Sequence, residues 1–205
     1  IAGATTFAQG GTLTLGDGTG DSTDFAGGLV ATAPSGISAQ GTVKADGGSG
    51  VLTLGDSDTG VTVAANLLVG GTSTGTISLG DATLADGATL TAGAGAANQI
   101  DLDAITGTAG STASNLTINS TGVVTVAEAV GTDVGIVTVT QSGGTTFTGT
   151  LAAATVAITD TADSQAITFT DSVTIGTALT TANGGSDNYN VVFNGASNSI
   201  AGATT

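Results

Sequence analysis

Short runs in which apolar residues alternate with Thr or Ser, each closed by Gly-Asp, limit this chain more than any other feature. GTLTLGD at 11–17, GVLTLGD at 50–56 and GTISLGD at 75–81 share that form. Successive side chains of a strand point to opposite faces, so a period of two puts Leu, Ile or Val inside and hydroxyls outside, while Gly and Asp supply the turn. VTV at 61–63, NLTINSTGVVTVAEAV at 115–130 and GIVTVTQ at 135–141 continue the pattern. Helical periodicity is scarce, and its best candidate, around Val126 to Val130, fits an alternating strand equally well. A Gly- and Ser-rich chain invites a disordered reading, but one Pro in 205 residues and recurrent Val, Ile, Leu and Thr oppose it. The chain reads as all-β.

A shorter register points to the architecture. TTFTGT at 145–150, ITFTDS at 167–172 and VVFNGA at 191–196 align on Phe147, Phe169 and Phe193 at a nearly constant spacing. That spacing suits one coil of a parallel β-helix, in which like residues of successive coils stack about 4.8 Å apart. The three phenylalanines are expected to form an inward ladder. The LTLGD copies are less regular, since the step from Leu13 to Leu52 is much longer than the step from Leu52 to Ile77, which suggests coils interrupted by loop excursions. The expectation is a β-solenoid of roughly eight or nine coils of about 22–24 residues. An array of β-sandwich domains is the alternative.

The hexamer IAGATT occupies both Ile1–Thr6 and Ile200–Thr205. Read as a tandem repeat, this makes 1–199 one solenoid unit and 200–205 the start of the next. Ile1 and Ile200 are then expected at equivalent, inward-facing positions. Copies would stack head to tail, with an axial repeat on the order of 40 Å.

Composition excludes most chemistry. Cys, Met, Trp, His and Arg are absent; Lys44 is the only base, Glu128 the only glutamate, Tyr189 the only tyrosine. General acid/base and nucleophilic mechanisms rely on groups this chain lacks, since no base is present to activate its many Thr and Ser, and an enzyme is not expected. A formal charge of -15 opposes binding to nucleic acid or to anionic membranes. No apolar run approaches the length of a membrane-spanning helix and no basic-then-apolar leader appears, so any anchor or export signal is expected outside this segment. Charged residues are only 8 % of the chain, and Thr, Ser, Asn and Asp provide the polar surface. That balance suits an exported, cell-surface protein better than a cytosolic domain.

The run NVVFNGASNSIAGATT at 190–205, followed in repeat register by FAQGGTLTLGDG from Phe7 to Gly18, resembles the passenger repeats of bacterial autotransporters and related large β-helical adhesins. The resemblance covers about a third of the chain and is one of pattern. It implies a right-handed parallel β-helix, export across an outer membrane, and a role as stalk, adhesin or surface layer.

Candidate sites are few. Asp17, Asp21 and Asp24 in GDGTGDSTD, with Asp56 and Asp58 in GDSDTG, are candidates for calcium, which takes hard oxygen ligands from carboxylates and turn carbonyls. Neither an EF-hand glutamate nor a repeated GGxGxD unit accompanies them. If these turns stacked on one edge, calcium would relieve their repulsion. Asp101 and Asp103 alternate on one strand face and read as a solvated pair. Asn115 and Asn119 begin Asn-x-Thr triplets and are glycosylation candidates on one face. Lys44 reads as an edge-guarding charge, with a Lys–Asn crosslink as the alternative. Two functions follow as expectations. One is a structural repeat of an extracellular filament, stalk or surface layer; the other is an adhesin segment binding glycan or host protein through the solenoid flank, for which Tyr189 is the single aromatic platform.

Overall fold

The structure is a computed structural model that describes residues 1–185 and 187–205. The chain winds into a parallel β-solenoid of nine coils without a helix among the described residues. Every strand pairing is parallel. Each coil offers up to three strand positions, called here faces 1, 2 and 3. Face 1 is a nine-stranded sheet: Thr5–Thr6, Leu29–Ala31, Leu52–Leu54, Ile77–Leu79, Ile100–Leu102, Val124–Val126, Thr145–Phe147, Ala166–Phe169 and Asn190–Phe193. Faces 2 and 3 are joined by bulges into one larger sheet, as in Ile37–Lys44, whose register shifts between Ala39 and Gly41.

One inner position of face 1 runs Thr5, Leu29, Leu52, Ile77, Ile100, Val124, Thr145, Ile167, Val191, and each step along it is one coil. Strand alternation is translated directly into burial. Leu52, Leu54, Ile77, Leu79, Ile100 and Leu102 are buried, while Thr53, Ser78 and Asp101 between them face outward. The same division holds on face 2, where Thr14, Ser38, Thr62, Thr83 and Thr106 form an outward hydroxyl row over five successive coils. Threonine's branched Cβ favours the strand and its hydroxyl meets water, so the flanks are solvated with little charge.

Thr145 breaks the pattern. It is 1 % exposed between Val124 and Ile167, in a rank that is otherwise apolar from Leu29 to Val191, and its Oγ1 has no partner among the described residues. Thr145→Val keeps the shape and removes a buried, unsatisfied hydroxyl. The expected result is a gain of about 1 kcal/mol in denaturant unfolding; a loss would show that the hydroxyl is bonded in solution.

Two expectations about register are corrected. Leu13–Leu15 lies on face 2 against Ile37–Ala39, whereas Leu52–Leu54 and Ile77–Leu79 lie on face 1 against each other. The long step from Leu13 to Leu52 is therefore one coil plus the passage between two faces, and no loop excursion is needed. An LTL triplet followed by a turn fits either face, because each asks only for two inward apolar side chains. The duplicated hexamer likewise sits in two unlike places. Thr5–Thr6 opens face 1, while Asn198–Ile200 and Ala203–Thr204 pair with Val173–Thr181 on faces 2 and 3. Ile1 is 62 % exposed and Ile200 packs partly against the core. The inner rank that begins at Thr5 has already come round at Val191, so the second IAGATT falls beyond face 1 of the last coil, and the two copies are out of phase.

Candidate functional site

The candidate features occupy three parts of the solenoid: its corners, its interior ranks and its two ends. At the corners, aspartate connects coils. The Oδ1 atoms of Asp24, Asp46, Asp81, Asp86 and Asp163 accept the backbone N–H of Asp46, Thr72, Ala104, Thr112 and Asn188 at 2.9–3.2 Å. Each acceptor is 22 to 26 residues before its donor, hence one coil away. Turn backbone that would otherwise face water is tied to the neighbouring coil by a charge-assisted bond.

Of the calcium candidates only Asp24 connects coils in this way, and the five do not converge. Asp17 and Asp21 lie in the corner between faces 2 and 3 of the first coil, where Asp21 Oδ2 accepts the amides of Asp17 and Gly18 at 2.8 and 3.0 Å. Asp24 ends face 3 of that coil. Asp56 and Asp58 sit in the corner between faces 1 and 2 two coils on, where Asp56 Oδ1 caps Asp58 and Thr59. The expected single acidic edge is thus three separate corners. No group of three or more acidic side chains placed to hold a metal occurs among the described residues. The LTLGD repeat misled because its copies belong to different faces. Exchanging millimolar calcium for chelator is expected to leave the melting temperature unchanged; a calcium-dependent rise would show that these loops rearrange around the ion.

A different set of acidic residues recurs in one corner, with Asp103 one position nearer its strand than the others. Asp56, Asp81, Asp103 and Glu128 follow the face 1 strands of four successive coils. Partial burial, and then the charges of Asp81, Asp101 and Asp56, push the Asp103 carboxyl above the usual range. Elsewhere the shifts go down: the Asp17 amide lowers Asp21, the Thr112 amide lowers Asp86, and Lys44 lowers Asp46. Lys44 Nζ pairs with Asp46 rather than with an Asn, and that contact raises the lysine's pKa.

These shifts have opposite consequences. A carboxylate held low stabilises the fold above its ordinary titration range, and that contribution is lost as pH falls through the lowered value. A raised carboxyl does the reverse, because the folded state takes up its proton first. Acidification from about pH 5 to about pH 3 should therefore lower the melting temperature, less steeply in the double variant Asp21→Asn, Asp86→Asn. Asp103→Asn should raise the melting temperature at neutral pH. An unchanged acid slope in the first variant would remove these carboxylates from the account.

The interior holds two ladders. The rings of Phe147 and Phe169 are 5.1 Å apart at 10°, and those of Phe169 and Phe193 are 4.9 Å apart at 14°. Phe147 and Phe169 are buried, and Phe193 is half-buried in the last coil. In the first coil Phe7 meets Phe25 edge to face at 6.3 Å.

The second ladder is polar and was missed in the sequence. At the corner between faces 3 and 1, Ser73 Oγ donates to Gly50 O at 2.8 Å, and Asn98 Nδ2 lies 2.9 and 2.6 Å from Ser73 O and Gly75 O. Ser120 Oγ lies 2.6 Å from Asn98 O, and Ser142 Oγ is 3.2 Å from Thr161 Oγ1. All five side chains are buried. Ser73, Ser120 and Ser142 also each accept the N–H of a glycine two residues on, so the recurring Ser-x-Gly before a face 1 strand was the available signal.

Asn115 and Asn119 point outward on face 3, as their alternation predicts, but both amide oxygens are engaged, by Ile136 N at 3.0 Å and Gln141 Nε2 at 2.9 Å. Tyr189 is half-buried in the corner that leads into the last coil, and its hydroxyl donates to Ala182 O at 2.6 Å.

The ends differ from the middle. Phe7, Tyr189, Val191, Phe193 and Ile200, in the first coil and at the last, are partly buried against the core. The last coil, Asn190–Thr205, has no charged side chain, and neither do the face 1 and face 2 strands of the first coil, within residues 1–16. No protein-family model matches the chain, and no curated protein or solved structure matches it.

Proposed function

We propose that this chain is a structural segment of an extracellular filament, stalk or surface layer, joined end to end with copies of itself. The observation that carries this reading is a continuous parallel solenoid whose flanks are polar and free of apolar patches along their length. Acidic corners and hydroxyl rows cover the flanks, and at net charge -15 side-by-side contact is repulsive. A parallel solenoid gains stability as coils are added, which suits a long structural element built from many of them. Location at the cell surface, in the manner of autotransporter passengers, is part of the proposal and rests on composition and on the sequence resemblance.

Sedimentation and electron microscopy of the purified chain test this. Filaments about one solenoid wide, with an axial repeat on the order of 40 Å for nine coils, are expected. A monodisperse monomer at high protein concentration and neutral pH would overturn it.

A further inference from the structure

We propose that a recess on the flank, where faces 2 and 3 meet, binds one ring of a neutral sugar. Corners of unequal length make this recess. Faces 2 and 3 are separated by residues 16–21 in the first coil, by Gln40 alone in the second, by 64–66 in the third and by 85–88 in the fourth. The short corner between longer ones leaves a gap of about 290 Å³, to whose lining Thr19, Gly41, Asn66, Leu68, Thr89 and Thr91 contribute. It lies along the flank and is complete within these four coils. Its walls are held in place. Thr42 N donates to Asp21 O at 2.8 Å, and Asp21 Oδ2 accepts the amides of Asp17 and Gly18, so the corner that carries Thr19 is closed on itself and tied to the second coil. That corner rests on Gly41, whose φ is +77° and where an added Cβ would meet Asp21 O. Asn66 Oδ1 accepts Thr89 N at 2.9 Å and fixes the third coil to the fourth. Groups already in position lose little freedom when a ligand arrives.

The lining selects the ligand class. It holds no charged side chain, so it offers neither a base to a phosphate or an acidic sugar nor a carboxylate to a cation. With Asn66 Oδ1 engaged, the Asn66 Nδ2 and the hydroxyls of Thr19, Thr89 and Thr91 have no partner among the described residues. A hydroxyl both donates and accepts and an amide NH₂ donates twice, which matches the mixed rim of a sugar ring. Leu68, half-buried beside Thr91, supplies the apolar contact for the ring C–H groups. At about 290 Å³ the recess is at the lower limit of small-molecule sites, room for one ring. Tyr189, the aromatic platform expected from the sequence, takes no part.

Backbone amide chemical shifts of the isotope-labelled chain test this with the methyl glycosides of glucose, galactose and mannose, and with methyl glucuronide as the acidic control. At least one neutral glycoside should move the signals of Thr19, Gly41, Leu68 and Thr91 saturably, and the glucuronide should bind about tenfold more weakly or less. Thr91→Leu fills the recess from an outward strand position and should weaken binding about tenfold or more with the melting temperature unchanged. Thr168→Leu, outward on face 1 and remote from the recess, should leave binding as it is. No saturable shift with any of the three glycosides, shifts centred elsewhere, equal binding of the glucuronide, or undiminished binding by Thr91→Leu would overturn the proposal. Filament formation is read separately on the same chain, so each of these failures leaves the end-to-end reading standing.

Discussion

Phe169→Ala should cost roughly 3–5 kcal/mol, the largest loss expected from a single side-chain truncation in this chain. Phe169 is 1 % exposed and lies between two rings at 5.1 and 4.9 Å, so its removal opens a cavity and strips both neighbours of a stacking partner. Strand pairing at a spacing of about 4.8 Å holds the backbone above and below, and the gap cannot close by collapse. Phe193→Ala should cost clearly less, because one face of that ring is already open. Coils interact mainly with their neighbours, so the damage should appear first in the C-terminal coils. Tyr189, the only tyrosine and in a chain without tryptophan, reports there by fluorescence during urea unfolding. A Phe169→Ala variant within about 1 kcal/mol of the parent would show that the stack is not part of the core.

Gly93→Ala should be nearly as damaging, with a loss of roughly 3 kcal/mol or more. Gly93 has φ +88°, a conformation that costs an L side chain, and an added Cβ would fall on the carbonyl of Asn119 in the next coil. That carbonyl also accepts the N–H of Gly95 at 2.9 Å, so it is not free to retreat. Gly47 separates the two effects. Its φ is +80°, but nothing lies within 4 Å of its added Cβ, and Gly47→Ala should show the backbone term alone, about 1 kcal/mol. Equal losses at the two positions, by thermal melting or urea, would mean that contact between coils is not what excludes a side chain at Gly93.

Much of the architecture was legible because a solenoid uses one local rule many times. Alternation in LTL, ISL and VTV fixed the strands and which side chains face inward, since period two leaves a short segment no other amphipathic solution. The Phe147, Phe169, Phe193 spacing fixed the coil length, as stacked coils repeat their inner ranks. Phase was not legible. Leu13–Leu15 and Leu52–Leu54 have the same local preferences, yet the first joins Ile37 on face 2 and the second Ile77 on face 1. The choice depends on where each coil closes, and that is set by corners ranging from a single bulge at Ala39–Gly41 to the long turn at 16–21.

The site candidates divide along the same line. Sequence alone determined that this chain has no His, Cys or Arg, carries its negative charge almost wholly as aspartate and is rich in threonine, because these are properties of composition. Only the tertiary structure decided what each aspartate does. Asp24, Asp81 and Asp86 are set against amides 22 to 26 residues away, distances that no local motif encodes. Asp17 and Asp56, alike in their Leu-Gly-Asp setting, were separated into different corners. IAGATT carries the point furthest: the same six residues open face 1 at one end and cover faces 2 and 3 at the other. Their alternation suits any face, and the coil already in place beneath them supplies the register.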